Sequence, residues 1–320
     1  KILKAPRTAG ALRIGIAGLG NVGATAANVI FAKNIAQDLV LVDIKEGLAE
    51  GKVMDMLQTA HMLNITTRLL GCSNDYSKTA NSDIIIITSG IARKPGMTRE
   101  ELIGINAKIV KSVMDDCLKY SPTTIFIIVS NPADTLTYLA IKNSNLPRNK
   151  VFGMSGVLDS NRFIYFLSQV LHCPPTDVNG MVIGVHGDLM VPLTRLATYQ
   201  GTPVTELISP TTLAEVVHET KVGGGTLTSL LGTSAWYAPG AAVATMVEAI
   251  IKDTKQQLPV IAYLNSEYDE TDVCAGVPAI LGKNGLEKII ELKLTSEELS
   301  SFKESIKAIR TINATLAEAL

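Results

Sequence analysis

The chain's 320 residues suffice for one large or two medium domains around an ample buried core, and two lobes fit the length better. Its 29 basic and 30 acidic residues nearly cancel, which excludes a broad basic field for nucleic acid and an acidic tail and leaves any functional charge to local placement. A hydrophobic fraction of 47% with only 5% aromatics suits an α/β protein rich in Ile, Val, Ala and Leu, and no apolar run reaches the roughly 18 residues of a membrane span.

Residues 1–12 are basic, lack acids and have no apolar stretch of signal-peptide length, so they are expected to form an N-terminal arm. Arg13–Ala17 reads as a strand, and Gly18-Leu-Gly20-Asn21-Val22-Gly23 follows at once, ahead of a packed helix over Ala24–Phe31. In such a Gly-x-Gly-x-x-Gly turn the first glycine permits the tight turn, the second lets backbone approach a pyrophosphate, and the third lets the helix pack against the strand. The helix N-terminus then offers free N–H groups to the phosphates. A second strand, Leu39–Val42, ends in Asp43, about 20 residues past the last glycine, where a carboxylate accepts both ribose hydroxyls of an adenosine and repels a 2′-phosphate. The combination favours NAD over NADP, with Lys45 close by as the countervailing charge.

A helix over Ala49–Met62, a strand over Thr66–Leu70 and the four-isoleucine strand Asp83–Thr88 continue the alternation, as in a parallel sheet covered on both faces. Arg93, Lys94 and Arg99 follow the end of that strand in a segment holding Pro95 and Gly96, where open parallel sheets bind ligands. A mobile basic lid is expected there, with a solvated charged loop as the alternative. Thr98 and Glu101 have the spacing of a capping box for a helix continuing to Lys119. The strand Thr124–Val129 runs into Ser130-Asn131-Pro132, where Pro132 can start a helix and the Asn131 amide can both donate and accept.

Val151–Gly156 is read as the sixth strand and its exit, followed by a helix over Val157–Leu167 that puts Asp159 and Arg162 on one face. The run Met181-Val-Ile-Gly-Val-His186-Gly-Asp-Leu-Met-Val-Pro192 then delivers a histidine into a turn. An imidazole takes or gives a proton near neutral pH, so His186 is a candidate acid–base group. Beyond it the pattern is mixed: Pro203–Ile208 strand-like or extended, a helix over Leu213–Lys221 leading into Gly223-Gly-Gly225, and a helix over Ala241–Lys252. Thr271–Leu281 reads as a strand pair around Gly276 and Pro278, with a turn at Gly282–Gly285 and a capped C-terminal helix after Thr295. Cys72, Cys117, Cys173 and Cys274 are scattered, which fits neither a disulfide framework nor a zinc ribbon; a reducing compartment follows, the cytoplasm or an organellar matrix, with no membrane partner. No carboxylate–histidine cluster has metal spacing, so no metal is expected.

The fold expected is therefore a Rossmann doubly wound parallel sheet over residues 13–153, followed by an α+β substrate and catalytic domain over 154–320. With its glycine turn, Asp43, Arg93-Lys-Pro-Gly-Met-Thr-Arg99, Asn131-Pro132, Leu158-Asp159-Ser-Asn-Arg162-Phe163 and His186-Gly-Asp in this order, the chain resembles the lactate/malate dehydrogenase superfamily. The resemblance runs from about Arg13 to the C-terminal helix and is closest to malate dehydrogenases of lactate-dehydrogenase-like type.

That resemblance implies His186 as proton acceptor and donor, Asp159 as the group holding its tautomer, Arg162 as the clamp on the substrate carboxylate, and Arg99 as the residue polarising the reacting carbonyl. It implies a cofactor set of Gly18, Gly20, Asn21, Val22, Gly23, Asp43, Asn106, Val129 and Asn131, with Asn131 also meeting substrate. Arg93 stands where the malate enzymes have a second carboxylate-binding arginine and the lactate enzymes a glutamine. A homo-oligomer, tetramer over dimer, is also implied, with a small-molecule substrate as the other partner. The alternatives are an L-lactate or broader 2-hydroxy-acid dehydrogenase and a non-catalytic NAD-binding protein. Ala92, Ile164, Val185 and Thr233–Trp236 depart from the family's usual residues.

Overall fold

The computed structural model describes residues 11–91 and 98–317. The first half alternates strictly: β1 (Arg13–Ala17), α1 (Asn21–Ala32), β2 (Asp38–Asp43), α2 (Leu48–Leu63), β3 (Arg68–Ser73), β4 (Ile84–Ile87), α3 (Arg99–Leu118), β5 (Ile125–Ile128), α4 (Ala133–Asn143) and β6 (Val151–Gly153). The second half begins with α5 (Gly156–Leu171) and the short strands β7 (Val178–Asn179), β8 (Val182–Ile183), β9 (Val191–Pro192), β10 (Thr198–Tyr199) and β11 (Thr202–Pro203). It continues through α6 (Val204–Leu207), α7 (Pro210–Leu231), α8 (Tyr237–Ile251), β12 (Gln256–Asn265), β13 (Thr271–Gly282), β14 (Gly285–Ile289) and α9 (Ser296–Ala317).

The first six strands pair in parallel in the order β3-β2-β1-β4-β5-β6, so the strand order reverses between β1 and β4. The four isoleucines of β4 explain why a continuous apolar run was needed. Ile84 and Ile86 enter one hydrophobic core with Ile14, Ile16, Leu39 and Leu41, while Ile85 and Ile87 enter a second core with Val40, Val42, Phe126 and Ile128. Successive side chains point to opposite faces, and both faces are covered by helices: α1 and α8 residues fill the first core, α3 and α4 residues the second.

The sheet does not stop at β6. Strands β12, β13 and β14 extend it with antiparallel pairing, joined to β6 at Ile261 opposite Gly153. A Cβ on Gly153 would lie 2.3 Å from Thr137 Oγ1 and 2.9 Å from Ile261 Cδ1, so this junction closes only on a glycine.

Several elements differ from the sequence expectation. Pro203–Ile208 is not a strand beyond β11: the chain turns into the short helix α6, with Pro203 as its extended N-cap and Val204 buried. Thr271–Leu281 is one unbroken strand, and its partner β12 had no clear signal. Gly276 makes no turn, because the backbone of Gly184 closes on it, exchanging N–H···O bonds of 2.8 and 3.0 Å. A Cβ there would sit 2.6 Å from the Gly184 carbonyl. Helix α7 runs straight through Gly223–Gly225 to Leu231. The capping box at Thr98 is present, with the Glu101 N–H donating to Thr98 Oγ1 at 3.1 Å and the Thr98 N–H to Glu101 Oε2 at 2.8 Å. Among the described residues, no helix is long and apolar enough to cross a membrane.

Candidate active site

The glycine turn lies between β1 and α1, beside the point where the strand order reverses. Gly18 has φ +93°, and a Cβ on it would meet the Ser89 backbone at 2.7 Å. A Cβ on Gly23 would lie 2.0 Å from the Gly18 carbonyl oxygen. These two glycines are demanded by the protein's own packing. Gly20 differs, since nothing in the protein lies within 4 Å of where its Cβ would be. Gly20 also lines the cleft described below, and open backbone there is what contact with a pyrophosphate requires. Gly20 is also the N-cap of α1, so no side chain caps the first N–H groups of that helix.

Asp43 closes the cleft from the end of β2, accepting hydrogen bonds from the Leu19 N–H at 2.6 Å and the Lys45 N–H at 2.9 Å. A carboxylate has about four lone-pair sites, so acceptor capacity remains for two hydroxyls. With Gly18, Gly20, Ile44, Ser89 and Ile91, it lines a cleft of about 610 Å³. Open backbone at Gly20, an uncapped helix start and a carboxylate at the cleft edge fit an adenine dinucleotide. Val129 continues β5 by donating its N–H to Ile87 O at 2.9 Å.

The second constellation is built from α4, α5 and the β8–β9 hairpin. Asp159, in the first turn of α5 and 2% exposed, has Oδ2 2.8 Å from His186 Nδ1 and Oδ1 3.4 Å from Arg162 Nη1. The α-helical spacing that put Asp159 and Arg162 on one face thus lets one carboxylate meet both the imidazole and the guanidinium. The charge of Asp159 raises the proton affinity of His186 above the ordinary imidazole range, with burial and the positive charge of Arg162 opposing. Because Asp159 holds Nδ1, Nε2 is left as the group that can exchange a proton with a ligand. Nε2 makes no hydrogen bond to any of the described residues.

Two features of this constellation have weak sequence signals. Gly223 and Gly224 of α7 lie against Arg162: a Cβ on Gly223 would be 2.7 Å from Arg162 Cδ, and one on Gly224 would be 3.6 Å from Nη2. The glycine run is a groove for that guanidinium side chain, not a helix stop. Asp134, in the first turn of α4, accepts the His186 main-chain N–H on Oδ2 at 2.9 Å. It is 4% exposed, and burial pushes its carboxyl up to about 6. The only local hint of it was an acid just after a strand-ending Asn-Pro.

Asn131 lies exposed at the end of β5, and its peptide bond to Pro132 is cis. Asn106, buried on α3, accepts from the Ile91 N–H at 2.9 Å and donates to the Ile91 carbonyl at 3.3 Å and the Asn131 carbonyl at 2.9 Å. It ties the strand end that begins the expected lid to the loop carrying Asn131. Arg99 is the first residue of α3. Arg93, with Lys94, Pro95 and Gly96, lies outside the described residues, as does most of the expected N-terminal arm. Among the described residues, no group of His, Cys, Asp and Glu is placed to hold a metal ion.

Comparison with known proteins covers the whole of this architecture. The family model for the NAD-binding domain of lactate/malate dehydrogenases matches residues 12–153, and that for their alpha/beta C-terminal domain matches residues 156–319. A malate dehydrogenase of Bacteroides thetaiotaomicron is 58% identical over 307 residues, covering 96% of this chain and 98% of its own. The structure of a malate dehydrogenase from Salinibacter ruber superposes with a TM-score of 0.92 at 41% identity, covering 96% of this chain and 98% of that one. A lactate dehydrogenase from Cryptosporidium parvum, solved with lactic acid and nicotinamide adenine dinucleotide, also gives 0.92, at 37% identity over 97% of this chain and 99% of that one.

Proposed function

The chain belongs to the lactate/malate dehydrogenase family, and from that membership we propose that it interconverts (S)-malate and oxaloacetate by reversible hydride exchange with NAD. The observation that carries the reaction class is the His186 Nδ1 to Asp159 Oδ2 contact of 2.8 Å, which leaves Nε2 for substrate. When bound, NAD supplies the hydride acceptor. Everything else falls to side chains of this chain.

In malate oxidation, His186 Nε2 takes the hydroxyl proton as the adjacent carbon gives up hydride; in the reverse direction the imidazolium returns it. Asp159 fixes the tautomer and stabilises the imidazolium. Arg162 grips the substrate's first carboxylate through paired hydrogen bonds, Arg99 polarises the reacting carbonyl, and Asn131 orients substrate beside the nicotinamide. Gly18, Gly20, Asn21, Val22 and Gly23 receive the pyrophosphate, Asp43 the adenosine ribose, and Asn106 and Val129 complete the cofactor side. Residues 13–153 serve as the NAD-binding domain and 154–320 as the substrate domain. The same reading makes the protein a cytoplasmic homo-oligomer, tetramer over dimer.

Arg93 sets the choice of substrate. A second carboxylate against its guanidinium gains a charge-assisted pair, whereas a methyl group leaves the cation desolvated and alone, a difference of roughly 2 to 5 kcal/mol. The likeness to the Cryptosporidium lactate dehydrogenase makes lactate the second reading, since the fold is equally close to both kinds of enzyme. Following NADH absorbance with oxaloacetate and pyruvate side by side separates them: oxaloacetate is expected to give the higher kcat/KM, and Arg93→Gln to move the ratio towards pyruvate. A preference for pyruvate in the unsubstituted chain would reverse the assignment, and an unchanged ratio in the variant would remove Arg93 from it.

A further inference from the structure

His186 is held from two directions by two buried carboxyls. Asp159 on α5 takes the ring at Nδ1, while Asp134 on α4 takes the main chain, its Oδ2 accepting the His186 N–H at 2.9 Å. The other oxygen, Asp134 Oδ1, is buried with no hydrogen-bond partner among the described residues. Among the described residues, the charged and titratable groups facing this cluster are Asp159 and Arg162 from α5, His186 from the β8–β9 turn and the buried thiol of Cys274 from β13. Among Asp134, Asp159, Arg162 and His186 alone, with His186 neutral, the two carboxylates outnumber the one guanidinium by a single charge.

Accepting a main-chain N–H requires no carboxyl, because an amide oxygen does the same without the cost of burying a charge. What only a carboxyl adds is a negative charge beside the imidazole. Asp134 lies among the charges that raise the proton affinity of His186, and its own carboxyl, pushed up to about 6 by burial, titrates close to the imidazole range. The charge on either group therefore bears on the proton held by the other.

We propose that Asp134 is a positioning residue whose charge, in addition to its hydrogen bond to the His186 main chain, adds to that of Asp159 in moving the pH range over which His186 exchanges protons with substrate. The inference rests on the reading of His186 as the acid–base group. Protonating Asp134 weakens the hold of His186 on its own proton, so the carboxyl on α4 couples acidification to the balance between malate oxidation and oxaloacetate reduction.

The test uses the whole chain and Asp134→Asn, which keeps an acceptor for the His186 N–H and removes the charge. The His186 ring resonance is followed through pH by NMR; the chain has four histidines, and His186→Asn assigns the signal. The Asn variant is expected to titrate at lower pH. In kcat/KM for malate, normalised to each protein's plateau, the acid limb moves the same way, raising the value on that limb roughly threefold, the factor given by half a pH unit. A His186 titration coincident with that of the unsubstituted chain overturns the proposal, whatever the turnover. Absence of oxaloacetate turnover in the unsubstituted chain would instead overturn the functional reading. Should the variant fail to fold, the unsubstituted chain carries the test: a two-step His186 titration supports the coupling, and a single-proton curve contradicts it.

Discussion

At the residue scale, the proposed chemistry depends on the environment of His186. Its proton affinity is raised chiefly by the charge of Asp159, so the sign of the pH dependence is fixed in both directions of reaction. Malate oxidation needs the neutral ring, and its kcat/KM is expected to rise with pH through a midpoint above the ordinary value of 6.5. Oxaloacetate reduction needs the imidazolium and is expected to fall through the same range. Initial rates in both directions from pH 5 to pH 9 check this; a malate midpoint below the ordinary imidazole value contradicts it. Stability follows the same shift. A histidine raised in the folded state contributes stability that is fully present below its unfolded pKa and is lost as pH rises through the folded one. Asp134 is not the usual salt-bridged carboxylate: burial raises it from 3.8 to about 6, so the folded state binds its proton more tightly and stability declines as pH rises through that interval.

At the element scale, helices and strands are cut to bring these residues together, and glycines mark where two elements must nearly touch. Gly223 of α7 faces the side chain of Arg162 on α5, with 2.7 Å from its would-be Cβ to Arg162 Cδ. Gly223→Ala should therefore push the guanidinium out of position while leaving NAD binding intact. The expected result is a KM for oxaloacetate raised by about tenfold or more, the order of one lost charge-assisted hydrogen bond. Steady-state kinetics beside NADH binding by fluorescence would reveal it, and an unchanged KM would mean that Arg162 does not need the groove. The same glycines show what the sequence could and could not convey. The β1–α1 turn, Asp43, the capping box at Thr98 and the doubly apolar strands were legible because each follows from local spacing. The continuity of α7 through Gly223–Gly225 and of β13 through Gly276 was not. There the glycine is required by a backbone or side chain distant in the chain, Arg162 in one case and Gly184 in the other. Asp134 was hidden for the same reason, since its partner, the His186 main chain, lies 52 residues away in the chain and meets it only in the fold.

At the scale of the whole molecule, one sheet runs from β3 to β14 through both halves of the chain, and the β8–β9 hairpin joins it through the Gly184–Gly276 backbone bridge to β13. Apolar side chains also remain outside that core. Met54, Met62 and Leu63 on α2 are 57%, 74% and 55% exposed, and Leu230 and Tyr237 are 77% and 74% exposed. The proposed homo-oligomer would cover part of this exposed apolar surface. Light scattering is expected to give a multiple of the 34.1 kDa chain mass, and Met54→Glu to lower it. A monomer at micromolar concentration would remove the homo-oligomer from the account.

His186 is the proposed proton-exchanging group, and His186→Asn removes it. Turnover of oxaloacetate is expected to fall at least ~100-fold, the low end for loss of general acid–base catalysis, while NADH binding measured by fluorescence is unchanged. Near-normal turnover with NADH bound as before would contradict it.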